Sequence, residues 1–356
     1  MGLLYTRFKA FHFKEKLDSL PENQDKILPP IHIRIKPTNV CNHNCSYCAY
    51  TAEALQLGQD MRRDDYIPQE KMMEIIDDLI GMDVKAVTFS GGGEPFCYPY
   101  FLKAVEKLSD SEIKFASLTN GSRLTGEIAE IFSYNATWLR ISMDGWDDES
   151  YSEYRGVKPG EFSKIINNII DFEKLSGKCH LGVCINTDKK NYSHIYKLIE
   201  KLRDSGVKSI KVAPCIISNN GKENNVYHKP IFDETKDQIN RAKEKFEKQG
   251  LEIFDSYHMQ LDAFQKDYSW CPSLQTNPVI GADLNVYSCQ DKAYNLETGV
   301  IGSIKDRRFK DFWMDGNCKF YKINPSTVCN HHCVANNKNE MIMEYLNVDQ
   351  EHLEFV

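Results

Sequence analysis

Cys41, Cys45 and Cys48 lie in the run Cys-Asn-His-Asn-Cys-Ser-Tyr-Cys, which brings three thiolates together within eight residues. A [4Fe–4S] cube has four irons and is normally held by four cysteines. A C-x3-C-x2-C trio therefore points to a cube with one iron left for a ligand from outside the protein. A structural zinc site wants four ligands, usually as paired C-x2-4-C units, and His43 sits between two of the cysteines with little room to fold back. Disulfides suit the trio poorly, because nothing at the start of the chain reads as a secretory signal.

Further along, Ser90-Gly91-Gly92-Gly93-Glu94-Pro95 follows an apolar run at 84–89. Alone it reads as a glycine-rich turn after a strand. Leu118-Thr119-Asn120-Gly121, Arg140-Ile141-Ser142-Met143-Asp144-Gly145 and Tyr154-Arg155-Gly156 follow in order. Alone, the Asn-Gly and Asp-Gly steps are turn signals and the arginine is a solvated charge.

With the cysteine trio and these segments in this order, the chain resembles the radical S-adenosylmethionine superfamily. The resemblance implies a partial (β/α)6 TIM-type barrel and a cluster whose open iron takes S-adenosylmethionine. It also implies radical chemistry carried by the cofactor, with binding and orientation supplied by the protein. It assigns cofactor contacts to Gly92, Gly93, Glu94 and Pro95 around the ammonium, to Asn120 and Ser142 at strand ends, and to Arg155 near the carboxylate. Tyr47, between two cysteines, takes the place of an aromatic near the adenine; its other reading is a packed loop residue. The resemblance further implies an electron donor of the flavodoxin or ferredoxin type.

The C-terminal third holds Cys271, Cys289, Cys318, Cys329 and Cys333. The stretch 279–288 reads as a β-hairpin turning around 283–285, which would bring its flanking cysteines together. Cys329 and Cys333 form a C-x3-C pair before a helical run at 339–346. This region resembles the Twitch domain, the shortened relative of the SPASM domain. The resemblance implies one auxiliary [4Fe–4S] cluster on Cys271, Cys289, Cys329 and Cys333, in a small α+β domain. The x3 spacing of the last pair departs from the usual x2. Structural zinc, with His331 or His332 replacing one cysteine, is the rival, and Cys318 reads as a buried thiol. Of the remaining cysteines, Cys184 and Cys215 fall in or just after expected strands, where a thiol facing the interior would return a hydrogen atom to a substrate radical.

The elements that must position these residues alternate. Strand-like runs fall at 31–35, 84–89, 113–118, 137–141, 180–185 and 209–212, and helical stretches at 69–82, 100–108, 125–132, 162–175 and 192–204. Met72, Ile75, Ile76 and Leu79 follow the i, i+3, i+4, i+7 rule, as do Ile195, Leu198, Ile199 and Leu202. Alternating βα units imply a parallel sheet with helices outside and chemistry at the C-terminal strand ends. The expected organisation is an N-terminal extension at 1–30, the barrel at 31–230, a solvated linker helix within 231–255 and the auxiliary-cluster domain at 256–356.

A net charge of −7 on 356 residues, with lysine and arginine scattered, argues against a nucleic-acid partner. No run approaches a membrane span, and 12 cysteines without an export signal fit a reducing cytoplasm and metal ligation. The expected activity is hydrogen abstraction from a small polar substrate, with oxidation or epimerisation of a sugar or cyclitol derivative. The alternatives are maturation of a ribosomally made peptide and, from another class, a non-catalytic iron–sulfur scaffold or activase.

Overall fold

The computed structural model describes residues 4–353 apart from 25, 54, 56, 262 and 263. Ten strands form one sheet in the order β10-β9-β8-β1-β2-β3-β4-β5-β6-β7. The strands are β1 (His32–Ile35), β2 (Ala86–Phe89), β3 (Lys114–Thr119), β4 (Trp138–Ser142), β5 (His180–Thr187), β6 (Ser209–Pro214), β7 (Glu252–Asp255), β8 (Val279–Ile280), β9 (Asn285–Tyr287) and β10 (Val300–Ser303). Pairing from β1 through β7 is parallel throughout. The helices are α1 (Lys14–Asp18), α2 (Gln69–Gly81), α3 (Phe101–Ser109), α4 (Gly126–Asn135), α5 (Asp148–Arg155), α6 (Glu161–Lys174), α7 (Ile195–Asp204), α8 (Gly221–His228), α9 (Phe232–Phe246), α10 (Ser256–Leu261), α11 (Pro272–Thr276), α12 (Phe309–Met314), α13 (Pro325–Val328) and α14 (Asn336–Leu346).

The helices form because each offers an apolar stripe to the outside of the sheet. Met72, Ile75, Ile76 and Leu79 of α2 are buried, as are Ile195, Leu198, Ile199 and Leu202 of α7. They share one core with Ile33, Ile35, Leu139, Ile141, Val183, Ile185, Ile210 and Val212 of the strands. Alternate strand residues point to the opposite face. There the chain places His32, Arg34, Arg140, Cys184 and Lys211, which keep partial access. His32 Nε2 lies 2.8 Å from Thr88 Oγ1, and His180 Nε2 lies 2.8 Å from Ser209 Oγ. The barrel is thus apolar outside, under its helices, and polar within. This is the partial-barrel α/β fold that the sequence implied.

Two features differ from the sequence expectation. The segment 231–255 is not a solvated linker helix alone. Ile239, Ala242 and Phe246 of α9 are buried, and after α9 the chain forms β7, a seventh parallel strand registered on β6 from Ser209↔Glu252 to Val212↔Asp255. The C-terminal region also joins the barrel directly. β8 pairs in parallel with β1 (Arg34↔Val279, Ile35↔Ile280) and then turns into the antiparallel hairpin with β9. The hairpin turn includes Leu284 at φ 64°, close to where the sequence placed it. Arg308, just before α12, donates from Nε to Asp78 of α2 at 2.8 Å, and Ala10, Leu17 and Leu20 pack on Ile342 of α14.

Candidate functional site

The cysteine trio lies in the loop after β1, over the C-terminal ends of the strands. The backbone of that loop is tied down on two sides. Asn44 N donates to Arg155 O at 2.9 Å and Ser46 N to Tyr154 O at 3.0 Å. On the β3 side, Asn42 accepts from Asn120 Nδ2 at 2.9 Å and donates to Ser122 Oγ at 2.8 Å. Loops carry function when a rigid scaffold positions them, and here the scaffold is the ends of β3, β4 and α5.

Asp144, fully buried after β4, is the hub of the site. Its carboxylate accepts from Arg155 at 2.5 Å, from the Tyr47 hydroxyl, and from Asn186 N at 2.7 Å. The Arg155 guanidinium also lies over the Tyr47 ring, 5.5 Å from its centre, and donates to Cys45 Sγ at 3.6 Å. Burial alone would pull the Arg155 pKa down, but Asp144 and the neighbouring tyrosines outweigh it and hold it well above the ordinary value. Burial raises the Tyr47 phenol well above its own. Burial likewise raises the Cys45 thiol, with Arg155 opposing it. Arg155 Nε is a buried donor without a partner. The same geometry places Tyr47 as a packed, hydrogen-bonded residue next to two cysteines. α5 itself begins with a capping box between Asp147 and Ser150 and ends at Gly156 with φ 57°, which delivers Arg155 back under the loop.

Glu94, also buried, accepts from Phe96 N at 3.1 Å, Thr119 Oγ1 at 2.6 Å and Asn120 N at 2.7 Å. It clamps the end of β2 to the end of β3. Burial raises its pKa, and these three hydrogen bonds oppose that. Pro95 starts a short 3-10 turn that Glu94 caps. The glycines have a packing reason: a Cβ on Gly92 would stand 2.1 Å from Asn39 Oδ1, and one on Gly93 would stand 2.1 Å from Val40 O. The glycine segment thus presses on the strand exit that leads to the trio. Asn39 Oδ1 and Ser90 Oγ are buried there without a partner. Ser142, at the end of β4, is partly accessible on the inner side and registers with Cys184 of β5.

The second cysteine set converges. Cys271, Cys289, Cys329 and Cys333 line one small cavity of about 30 Å³, with Lys266, Tyr268, Lys292 and His331 in the same wall. Cys318 does not line it and is exposed, against the expectation of a buried thiol. Burial raises all four thiols, Cys333 to about 12 and Cys289 well above the ordinary value. Asn339 Nδ2 donates to Cys271 Sγ at 3.3 Å. Ligand atoms of Asp291, His331 and Cys333 lie within 4.8 Å of one another.

Both sets suit iron–sulfur clusters chemically. Soft thiols select such clusters, and thiols held neutral by burial ionise when a cationic metal centre arrives. The trio adds a partnerless buried guanidinium donor beside Cys45. The second set adds a shared small cavity. Of the two candidate hydrogen donors, Cys184 is partly accessible on the inner face and Cys215 is buried, with its carbonyl accepting from His228 Nε2 at 2.8 Å.

Sequence reasoning missed several residues. Asn42, Asp144 and Asn186 carry the hydrogen bonds that shape the loop. Lys36, fully buried, donates to the Tyr50 hydroxyl and to Gly91 O at 2.6 Å. Asp144 was present in the Ser-Met-Asp-Gly run, but nothing in an Asp-Gly step distinguishes a buried hub from a turn.

Residues 35–189 match the radical SAM superfamily. The chain is 27% identical over 193 residues to an uncharacterised protein of Archaeoglobus fulgidus, covering 53% of this chain and 43% of that one. Against the leading curated relatives it matches, it spans half of their length or less. The solved structure described as anSMEcpe with bound AdoMet superposes with a TM-score of 0.62 at 17% identity, covering 89% of this chain and 96% of that one. Streptococcus suis SuiB bound to precursor peptide SuiA superposes at 0.60 with 15% identity, covering 88% and 71%. Residues 35–189 therefore carry a radical SAM superfamily domain, and the four converging cysteines lie in the region that follows it. Members of this family use a [4Fe–4S] cluster and S-adenosylmethionine. Among the described residues no helix is long and apolar enough to cross a membrane.

Proposed function

We propose that this chain is a cytoplasmic radical SAM oxidoreductase that removes a hydrogen atom from a small polar substrate, a sugar or cyclitol derivative, and oxidises it. Cys41, Cys45 and Cys48 hold the S-adenosylmethionine-binding cluster, and Cys271, Cys289, Cys329 and Cys333 an auxiliary one. When bound, these groups supply a 5′-deoxyadenosyl radical and a one-electron acceptor. The chain's residues do the rest. Asp144 fixes Arg155 and Tyr47 under the trio, Glu94 locks the ends of β2 and β3, and the apolar outer core keeps the barrel rigid around a polar chamber. An external donor of the flavodoxin or ferredoxin type supplies the electron.

One observation carries this reading. Lys36 and Tyr50, hydrogen-bonded to each other, each lie within electrostatic reach of both Cys48 and Cys289. The inward strand positions Arg34, Arg140, Cys184 and Lys211 are polar or charged and partly accessible, which suits a small hydroxylated molecule better than an apolar one. Peptide maturation is the second reading, supported by the fold shared with the peptide-bound Streptococcus suis protein.

The test is anaerobic reconstitution with iron counting and measurement of 5′-deoxyadenosine under reducing conditions. About eight irons per chain are expected, falling to about four in the variant carrying Cys271→Ala and Cys329→Ala. Zinc accompanying about four irons in the wild type would instead support the structural-metal rival. Absence of S-adenosylmethionine cleavage would refute the enzymatic reading and leave the scaffold.

A further inference from the structure

We propose that the barrel interior holds a phosphoryl subsite, in which Arg34, Arg140 and Lys211 receive a phosphate or diphosphate group on the substrate, with the buried Lys36 behind them. The proposal deepens the reading above and rests on it for placing the substrate in the chamber.

The chain is acidic overall, at −7, yet its inward strand positions collect cations. Arg34 of β1, Arg140 of β4 and Lys211 of β6 retain partial access, while Ile33, Ile35, Leu139, Ile141, Ile210 and Val212 beside them are at most 1% exposed. Lys36 follows Arg34 by two residues, on the same face and one step nearer the strand tips. The four groups crowd one another. Arg34 pulls down both Lys36 and Lys211, and Arg140 pulls down both Arg34 and Lys211, in each case after burial itself.

Their hydrogen bonds go to neutral acceptors. Lys36 donates to the Tyr50 hydroxyl and Gly91 O, and Arg140 to the Tyr5 hydroxyl. Among the described residues none of the four makes an ion pair. The nearby carboxylates are committed elsewhere: Asp144 to Arg155, Tyr47 and Asn186, and Glu94 to Thr119, Phe96 and Asn120. Asp291 lies within reach of Arg34, Lys36 and Lys211 and offsets part of the repulsion. Glu252 reaches Tyr5.

Like charges gathered in a confined chamber are unfavourable until a counter-ion joins them. A carboxylate brings one charge and one planar edge, which a single guanidinium satisfies. A phosphoryl group brings up to two charges, and a diphosphate more, with oxygens pointing in several directions. That matches two guanidinium forks and one ammonium group arriving from three separate strands. The anion would lie below the glycine segment that Lys36 touches, leaving the neutral end of the substrate toward the strand tips.

The experiment uses the full chain, anaerobically reconstituted, and isothermal titration calorimetry with inorganic pyrophosphate at about 0.1 M salt. Saturable one-to-one binding is expected, weaker with inorganic phosphate and weaker still with citrate. Arg34→Gln and Lys211→Met should each weaken pyrophosphate binding about tenfold or more, while the exposed-site control Lys248→Gln binds as wild type. Far-UV circular dichroism confirms that each variant is folded, and Lys211→Arg, which keeps the charge, should retain binding if Lys211→Met proves unfolded. No binding by the wild type, citrate binding as tightly as pyrophosphate, or equal binding by all variants would overturn the proposal. S-adenosylmethionine cleavage is assayed on the same preparation. Cleavage without pyrophosphate binding refutes the subsite alone, whereas pyrophosphate binding without cleavage supports the subsite and refutes the oxidoreductase reading.

Discussion

Replacing Arg155 by leucine isolates the electrostatics of the Asp144 hub. Asp144 is fully buried and Arg155 is 5% exposed, and the two are joined at 2.5 Å. Removing the guanidinium leaves a carboxylate with the Tyr47 hydroxyl and Asn186 N but no cation. Breaking a buried pair from one side costs about 3–5 kcal/mol, because the surviving charge is uncompensated. Unfolding entropy of about 2.1 cal/mol/K per residue near 60 °C, over 356 residues, gives about 0.75 kcal/mol/K for a chain that unfolds as one unit. Arg155→Leu is therefore expected to lower the calorimetric midpoint by about 4–7 °C. The double variant Asp144→Leu with Arg155→Leu removes the stranded charge as well. Its midpoint should lie at or above that of Arg155→Leu alone, a coupling that a double-mutant cycle reads directly. Simple additivity of the two single losses would refute the account of Asp144 as a charge that Arg155 neutralises.

Gly93→Ala places a Cβ 2.1 Å from Val40 O, so the trio's loop must shift; iron bound by the Cys271→Ala, Cys329→Ala background should fall by half or more, read by iron assay. Gly81→Ala meets nothing within 4 Å at the end of α2, and should stabilise the fold by about 0.5–1 kcal/mol in denaturant unfolding. Asp255 accepts from His258 N at 3.1 Å and lies 2.5 Å from His258 Nδ1; burial raises its pKa, but these bonds outweigh it and hold it below 3.8. A depressed folded pKa gives stability that is present in full above the unfolded value and is lost as pH falls through the folded one. The stability gap between wild type and Asp255→Asn should thus be complete above about pH 5 and close below pH 3.8.

The six strands expected from β-branched and aromatic runs are all present, because those runs are the outward, fully buried faces of β1–β6. β7 escaped notice because Glu252–Asp255 is short and half acidic, and only its register on β6 makes it a strand. α5 escaped because Asp148–Arg155 has few apolar residues, although the Asp147–Ser150 capping box was readable in the sequence. The trio and the four converging cysteines were legible from spacing and from the hairpin. The chamber's cations were not, since Arg34, Arg140 and Lys211 are far apart in sequence. Their signal was the strict alternation of His32-Ile33-Arg34-Ile35-Lys36, in which a nitrogen-bearing polar side chain recurs every second residue. Tyr47 and Arg155 were singled out in the sequence, but their joint hydrogen bonding to Asp144 is a tertiary fact that no local motif carries.

The parallel pairing of β1 with β8 means that the cysteine-rich C-terminal third is no detachable appendage. A truncation ending after residue 255 would strip β1 of its neighbour and bare a row of amide and carbonyl groups, the kind of margin along which chains stick together. The spacing between the two thiol sets is therefore set by hydrogen-bonded backbone, as stiff as the barrel wall itself.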